Sequence, residues 1–394
     1  MRFSINILLL ATFLAYHCAI AIDCSKDAQT RAPFIDFVAC NNYPVESHTI
    51  ETDDGYELEF FRIQEKNTEI TNNGNKPVVL LWHGLLDSAD AFVINEEHLA
   101  PGFVLANKGF DVWLANSRGN KYSLGHVSLN SSKSVDYWDF SWQDIAEHDI
   151  PAAFSYIFNK TNQKINYIGH GQGSTQMFAH LADPKGKHPA VASYLRKFAA
   201  LGPVVYLSNV RSSPIKSIAG IPKIAELLLN IATRGFLNPT RKTPADDTVC
   251  KNFPSFCKIG LTLFDENPKQ NNAKRLDYLA GHFPAGTSAR DVTHFIQSMK
   301  AKGAFEKYDY GSVINMKKYG TRTPPKYDLS LVTEDVGLFT GTEDLVADPA
   351  DVAQLNKDLK RAKKTIRSYQ LGHYSFTIGK ELPYIDDLIK FLEI

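Results

Sequence analysis

The residues of this chain with the clearest chemical potential are a glycine-rich turn, an aspartate and a histidine, in that order. The turn is Gly169-His170-Gly171-Gln172-Gly173, and Asp344 and His373 follow it. A histidine can take up and release a proton near neutral pH, and a buried carboxylate can fix its tautomer and stabilise its charged form. Backbone N–H groups at a turn that opens a helix can stabilise a developing negative charge. Together these groups predict a site that moves protons and binds an oxyanion.

The same order is found in the catalytic triad of α/β-hydrolases, where the nucleophile lies on a sharp strand-to-helix turn and the acid and the histidine come later. Gly171 occupies the nucleophile position, where the pattern Gly-x-Ser-x-Gly has serine. The amides of Leu85 and Gln172 are predicted to form the oxyanion hole. Asp344 is predicted to be the acid and His373 the base. Every role is therefore filled except that of the nucleophilic hydroxyl.

The elements that must position these groups follow from the alternation of short apolar runs with helix-like segments. This alternation predicts an α/β fold, with a mostly parallel sheet covered by helices on both faces. The predicted elements are a hairpin of residues 49–52 and 57–63 around Asp53-Asp54-Gly55, strands over 78–82, 112–114, 165–168, 198–201, 336–339 and 366–371, and helices over 175–181 and 384–392.

Each candidate site residue comes shortly after one of these strands. Open parallel sheets bind ligands outside the carboxyl ends of their strands, so we expect the candidate residues to meet at one edge of the sheet. His83 and His170 are interpreted as residues that brace the two turns. Asp348 is a competing acid, but its position before Pro349 favours a helix-capping role.

A long insertion interrupts the strand–helix alternation at about residues 205–325. We interpret it as a helical cap on an α/β-hydrolase core formed by residues 22–204 and 326–394. Residues 215–231 are dense in isoleucine and leucine, Leu227 and Leu228 among them. These side chains could cover a cleft, face lipid or simply pack onto the core.

The first 21 residues have the features of a secretory signal peptide. Arg2 is followed by an apolar stretch at residues 5–14 and by the small-x-small sequence Ala19-Ile20-Ala21. This stretch is too short to span a bilayer, and no later stretch of membrane length is present. The chain is therefore expected to be secreted, with the lysosome as the alternative destination.

Four cysteines remain after the signal peptide is removed, and an even number suits an oxidising compartment. Three pairings are possible. The short spacings favour the local bridges Cys24–Cys40 and Cys250–Cys257, with free buried thiols as the alternative. Asn130 and Asn159 lie in glycosylation sequons.

Composition excludes several classes of protein. The chain has 394 residues, with 43 Lys+Arg, 43 Asp+Glu and 44% hydrophobic residues, as in ordinary globular proteins. A net charge of zero indicates no overall basic footprint, so nucleic acid is not expected as a partner. No Cys/His cluster has metal-ligand spacing and no phosphate-binding loop is evident, so neither a metal nor a cofactor is predicted.

Beyond these single features, the mature chain closely resembles the acid lipase family of gastric and lysosomal triglyceride and cholesteryl ester lipases. The similarity is carried by six motifs: Thr52-Asp53-Asp54-Gly55-Tyr56, His83-Gly84-Leu85-Leu86, Asn116-Ser117-Arg118-Gly119-Asn120, Asp149-Ile150-Pro151-Ala152, Pro284-Ala285-Gly286-Thr287-Ser288 and Ala347-Asp348-Pro349. The resemblance implies the α/β-hydrolase fold, neutral lipid esters or a lipid interface as partner, the same oxyanion amides, acid and base as above, and a Cys250–Cys257 bridge in the cap.

The chain departs from the family at two positions. The family's Gly-His-Ser-Gln-Gly is Gly169-His170-Gly171-Gln172-Gly173 here, and its His-Leu-Asp-Phe is His373-Tyr374-Ser375-Phe376. Acyl-enzyme catalysis needs an oxygen at residue 171, so we predict that the chain lacks serine-dependent hydrolysis. It would then be an impaired lipase or a non-catalytic relative that binds a lipid or a protein partner. The serines considered as replacement nucleophiles are Ser117, Ser174 and Ser375.

Overall fold

A nine-stranded sheet forms the centre of the protein, whose computed structural model describes residues 22–393 apart from 73, 75, 221–234 and 236–263. The strand order is β1-β2-β4-β3-β6-β7-β8-β9, and β5 pairs with β2. The strands are β1 (Val45–Glu51), β2 (Tyr56–Ile63), β3 (Val78–Trp82), β4 (Asp111–Leu114), β5 (Gly125–His126), β6 (Ile165–His170), β7 (Leu195–Leu201), β8 (Asp335–Gly341) and β9 (Lys363–Tyr369).

The sheet is mostly parallel, as the sequence predicts. Strands β3, β4, β6, β7, β8 and β9 pair in parallel, whereas β1, β2 and β5 add antiparallel pairs at one side. The predicted hairpin and the six predicted strands are all present. Strand β9 begins at Lys363, earlier than predicted, because its exposed edge position leaves polar residues in the strand and removes the apolar signal. The two-residue β5 is too short to give any pattern.

Helices cover both faces of the sheet, and the side chains of β3 show why. Val78, Leu80 and Trp82 join one buried cluster, whereas Val79 and Leu81 join the other, since successive side chains of a strand point to opposite faces. The α-helices of the described residues are α1 (Lys26–Gln29), α2 (Phe34–Cys40), α3 (Pro101–Asn107), α4 (Trp142–Asp144), α5 (Ile150–Thr161), α6 (Gln172–Leu181), α7 (Pro189–Tyr194), α8 (Ser213–Gly220), α9 (Leu276–His282), α10 (Ala289–Lys300), α11 (Ser312–Tyr319), α12 (Pro349–Asp358), α13 (Ser375–Ile378) and α14 (Ile385–Glu393).

Two of these helices match sequence predictions directly. Helix α6 extends the predicted segment 175–181 back to Gln172, so that it begins immediately after the glycine turn. Helix α14 coincides with the predicted C-terminal helix and buries Leu388, Ile389 and Leu392. The C-terminal segment predicts a helix because its residues Ile385, Leu388 and Leu392 lie on one helical face.

The long insertion lies between β7 and β8, and its described part contains α8, α9, α10 and α11. Its role as a cap and the domain boundaries at 204 and 326 remain predictions. The signal peptide, the Cys250–Cys257 pair and the side chains of Leu227 and Leu228 lie outside the described residues.

A disulfide joins Cys24 to Cys40, which confirms the predicted N-terminal bridge and excludes free thiols at that pair. It connects the segment just before α1 to the last residue of α2, and α2 buries Phe34, Phe37 and Val38. Within the described ranges, no helix is long and apolar enough to cross a membrane.

Candidate active site

The carboxyl ends of the central strands lie side by side and bring the candidate residues to one edge of the sheet. In the parallel register Trp82 is opposite Gly169, and His170 is opposite Leu201. Further along the sheet, Leu201 is opposite Phe339 and Gly341 is opposite Tyr369. The turns that leave β3, β6, β8 and β9 therefore converge, as predicted from the strand ends.

Gly171 forms the sharp turn between β6 and α6. Its φ of +51° and ψ of −114° are outside the regions that most L-residues adopt, which is the strained geometry expected of a nucleophile elbow. Its N–H donates to the Leu201 carbonyl at 3.1 Å. Gly173 is required by close packing, because a Cβ there would lie 2.2 Å from the Trp82 carbonyl oxygen. The elbow backbone is thus complete, although the side chain of a nucleophile is missing.

Asp344 and His373 form a buried pair beside this elbow. The Asp344 Oδ2 and His373 Nδ1 atoms are 2.8 Å apart, and Asp344 is fully buried. The other carboxylate oxygen of Asp344 accepts from the backbone N–H groups of Val346 and Ala347, both at 2.8 Å. These contacts hold the carboxylate in place and make Nδ1 the proton-bearing nitrogen. His373 Nε2 is then left to act on a ligand.

Nε2 of His373 points at residue 171. A Cβ at this position would lie 2.9 Å from Nε2 and 3.4 Å from Cε1, so the imidazole occupies part of the space that a serine side chain would need. The pair is also approached by Gly202, where a Cβ would lie 3.1 Å from both Asp344 Oδ2 and His373 Nδ1. Glycine at residue 202 leaves the Asp344–His373 pair uncrowded.

Two further carboxyl groups affect His373, and neither was singled out in the sequence. Burial disfavours the charged imidazole, but Asp344, Asp265 and Asp87 together outweigh it and raise the pKa of His373. Burial in turn raises the pKa of Asp265 to about 6 and that of Asp87 to about 7. Asp265 also accepts from the Tyr374 N–H at 2.9 Å and thereby holds the loop that carries the histidine.

The candidate oxyanion residues lie on the two turns that meet at the elbow. Gln172 is the first residue of α6, where backbone N–H groups have no partner within the helix. Leu85 is half-buried in the turn after β3, and the preceding Gly84 approaches the elbow, with its Cα 3.6 Å from where a Cβ of residue 171 would be. Their role as oxyanion donors remains a prediction.

His83 and His170 make contacts that fit bracing. His83 Nδ1 donates to the Gly84 carbonyl at 2.8 Å, and its Nε2 accepts from the Ser117 N–H at 3.1 Å. His170 Nε2 donates to the His373 carbonyl at 2.9 Å. Burial lowers the pKa of His83 to about 4 and that of His170 to about 3, so both imidazoles are neutral at ordinary pH.

The three alternative serines are occupied elsewhere. Ser174 Oγ donates to the Gly171 carbonyl at 2.5 Å. Ser117 Oγ accepts from Trp82 Nε1 at 2.8 Å, and Ser375 Oγ is 3.0 Å from Asn271 Oδ1. Among the described residues, no serine is hydrogen-bonded to His373.

Asp348, the competing acid, caps a helix as the sequence predicts. Its Oδ1 accepts from the Ala350 N–H at 2.8 Å at the start of α12, and its Oδ2 is 2.7 Å from Arg211 Nε. The carboxylate that pairs with His373 is therefore Asp344.

One cluster of acidic residues and histidine was not anticipated. Asp53, Asp54 and His148 bring three potential ligand atoms within 4.8 Å of one another. Asp54, however, pairs with Arg118, and Asp53 lies 2.7 Å from His148 Nδ1. Arg118 and the mutual contact between Asp53 and His148 thus engage all three side chains.

Behind the oxyanion turn, a buried acid in α10 contacts the Gln172 side chain. Asp291 is fully buried and accepts from Thr287 Oγ1 at 2.8 Å. Burial raises its pKa to about 7, against the opposing hydrogen bonds from Thr287 and Gln172. Asp291 Oδ1 and Gln172 Oε1 both lack a hydrogen-bond partner among the described residues.

Replacing Asp291 by asparagine is expected to change how stability depends on pH. An unfolded aspartate titrates near 3.9, so the folded protein holds an extra proton between about pH 4 and pH 7 and loses stability as the pH rises through this window. Asparagine does not titrate. The free energy of unfolding of Asp291→Asn, relative to the unchanged chain, should therefore rise by roughly 3 kcal/mol across the window.

Urea unfolding at several pH values between about 4 and 8 measures this difference. Asp277→Asn, at an exposed position of the neighbouring α9, is the matched control and should leave the pH profile unchanged. Parallel profiles for Asp291→Asn and the unchanged chain would show that Asp291 is not protonated in the folded state.

Comparison with known proteins agrees with this geometry. Residues 77–379 match the family profile described as alpha/beta hydrolase fold, and residues 34–96 match the partial alpha/beta-hydrolase lipase region. The chain is 39% identical to gastric triacylglycerol lipase of Mus musculus, over 86% of each chain. It is 35% identical to lipase member K of Homo sapiens, over 89% of this chain and 88% of that one.

An esterase from Exiguobacterium antarcticum has the same fold, with a TM-score of 0.52 at 12% identity, over 89% of this chain and all of the esterase. The nearly full-length sequence matches carry the assignment to a family, because the structural likeness at this identity shows the fold alone. The chain belongs to the acid lipase family of the α/β-hydrolase fold.

Proposed function

We propose that this protein binds neutral lipid esters in the cleft of an acid lipase and does not hydrolyse them through a serine. The observation that carries the proposal is the composition of the elbow. Its backbone turn, the Asp344–His373 pair and the bracing histidines are retained, but residue 171 has no side chain.

The missing oxygen has a large expected effect on rate. Removing the serine of such a triad reduces turnover by about a millionfold, and a residual of roughly a thousandfold over water survives through the oxyanion hole and binding. A water molecule activated by His373 is the alternative nucleophile. A water oxygen near the place of the missing Cβ, 2.9 Å from Nε2, would be within hydrogen-bonding distance of the imidazole. Such a water would lack the fixed position of a serine oxygen, so we expect this route to be slow.

The lipid class is proposed from the relatives. Gastric triacylglycerol lipases are similar over 86% of this chain, so triacylglycerols are the expected ligands. The predicted signal peptide and the Cys24–Cys40 bridge support an oxidising destination, either outside the cell or in the lysosomal lumen. Glycosylation at Asn130 and Asn159 would agree with that route.

Two measurements on the mature chain test the proposal. The first is incubation with a serine-directed phosphonate and with short- and long-chain esters from acidic to neutral pH. We expect neither labelling nor turnover at lipase rates. The second is binding of a fluorescent triglyceride analogue with ether instead of ester bonds, which we expect to saturate. Turnover with phosphonate labelling would refute the loss of catalysis, and absence of analogue binding would refute the lipid-binding role.

A further inference from the structure

Helix α11 exposes an unusual amount of apolar surface. Val313 is 71% exposed, and Ile314 and Met316 are each 46% exposed. No other helix among the described residues exposes more than one large hydrophobic side chain. Single exposed apolar residues need no explanation, but three in one eight-residue helix indicate a contact surface.

The same segment is strongly basic. Residues 311–326 contain Lys317, Lys318, Arg322 and Lys326 and no acidic residue, although the whole chain has equal numbers of basic and acidic side chains. All four basic residues are exposed. Lys318 Nζ lies 4.6 Å from the Tyr310 ring, and Lys326 is 3.9 Å from Glu306. The segment therefore forms a local positive surface on a neutral protein.

Polar anchors fix the orientation of α11. Asn315 is fully buried; its Nδ2 donates to Asp309 Oδ1 at 2.6 Å and its Oδ1 accepts from the Tyr310 N–H at 2.9 Å. Tyr319 Oη donates to the Tyr308 carbonyl at 3.0 Å. With about 100° of rotation per residue, these anchors turn Val313, Ile314 and Lys317 away from the protein. Met316 and Lys318 flank this face and are exposed as well.

The outward face defines what we call the α11 surface: Val313, Ile314, Met316, Lys317 and Lys318. Apolar side chains interleaved with lysines are typical of helices that lie in a membrane interface, where the lysine heads remain in the polar layer. A second copy of this chain is a poor fit, since a twofold contact would bring the basic residues of both copies together. We propose that the α11 surface binds an anionic lipid membrane, with the apolar side chains inserted at the headgroup boundary.

Sedimentation of the mature chain with lipid vesicles tests this proposal, using phosphatidylcholine alone or with roughly 30% phosphatidylglycerol. The anionic vesicles should bind the protein at least about tenfold more tightly, and salt should weaken the binding. The triple variant V313S/I314S/M316S should lose binding to both vesicles. K317E/K318E should lose the preference for phosphatidylglycerol by about tenfold or more.

The matched controls are V127S/V135S/I366S, which removes three exposed apolar side chains elsewhere, and K357E/K360E, which reverses two exposed charges on or beside α12. Each control should bind vesicles as the unchanged chain does. The midpoint of urea unfolding should be the same in the controls, the α11 variants and the unchanged chain. Equal binding by the α11 variants and the controls would overturn the proposal. The proposal would also be overturned if the unchanged chain formed a dimer that V313S/I314S/M316S dissociates. It would be overturned as well if the α11 surface captured a soluble protein while the chain bound no vesicles.

This inference goes beyond the proposed function and does not depend on residue 171. Gly171→Ser should bind vesicles as the unchanged chain does. If the unchanged chain binds the triglyceride analogue but not the vesicles, only the proposal for the α11 surface is rejected. If it binds the vesicles but not the analogue, only the proposal for the lipid-ester cleft is rejected.

Discussion

Gly171→Ser is expected to hydrolyse short-chain esters at least about a thousandfold faster than the unchanged chain. The substitution adds the one atom that the site lacks, an oxygen on the elbow that faces His373 Nε2. The Asp344–His373 hydrogen bond at 2.8 Å is already present. A serine-directed phosphonate should label the variant stoichiometrically and leave the unchanged chain unmodified.

The gain in activity of Gly171→Ser is limited by crowding at the elbow. A Cβ at residue 171 would lie 2.9 Å from His373 Nε2, whereas ordinary contacts begin at about 3.4 Å, so the imidazole must withdraw by several tenths of an ångström. The positive φ of +51° adds strain of the order of 1–3 kcal/mol for a residue with a side chain. We therefore expect Gly171→Ser to be somewhat less stable than the unchanged chain while gaining activity.

Gly171→Ala is the matched control, because it introduces the same Cβ and the same backbone strain without the hydroxyl. It should lose stability to a similar extent and gain no activity. A folded Gly171→Ser that neither reacts with the phosphonate nor turns over esters would show that the cleft has diverged beyond its nucleophile. Equal activity of the serine and alanine variants would show that the hydrolysis does not use residue 171.

The sequence predicted the fold and the centre of this site because both depend on local patterns. Buried strands such as β3 are continuous apolar runs, and Asp344 and His373 follow two neighbouring strands, so the parallel arrangement brings them together. Their chain order relative to the glycine turn then gave the candidate pairing. Strand β9 was less accurately bounded, since an edge strand carries little apolar pattern.

The outer part of the site could not be predicted in the same way. Asp265 and Asp291 both lie in the insertion, distant in sequence from His373 and Gln172, and nothing in their residue type distinguishes them from surface acids. Their importance comes from burial and from partners on other elements, such as the Tyr374 N–H for Asp265. Only the folded arrangement supplies that information. The signal that could have drawn attention to Asp265 is its position directly after the mostly apolar stretch 259–264.

In a chain that carries Gly171→Ser, the further substitution Asp344→Asn is expected to reduce kcat by about a thousandfold to ten-thousandfold. Asp344 accepts from His373 Nδ1, whereas an asparagine amide can donate there and favour the wrong tautomer. Removing the carboxylate also removes a major influence that raises the pKa of His373. The base then loses its proton more easily, so the acidic limb of the profile of kcat/KM against pH should move to lower pH.

Asp348→Asn in the same Gly171→Ser chain distinguishes a catalytic pairing from a general effect of losing a nearby acid. Asp348 caps α12 and pairs with Arg211, so its replacement should affect stability by about 1 kcal/mol and leave the pH profile in place. A shifted acidic limb in Asp344→Asn alone would assign the acid to Asp344, because a purely structural defect would lower the rate without moving that limb. If both variants lost a comparable part of kcat and neither moved the acidic limb, neither carboxylate would control His373. That result would contradict the proposed Asp344–His373 pair.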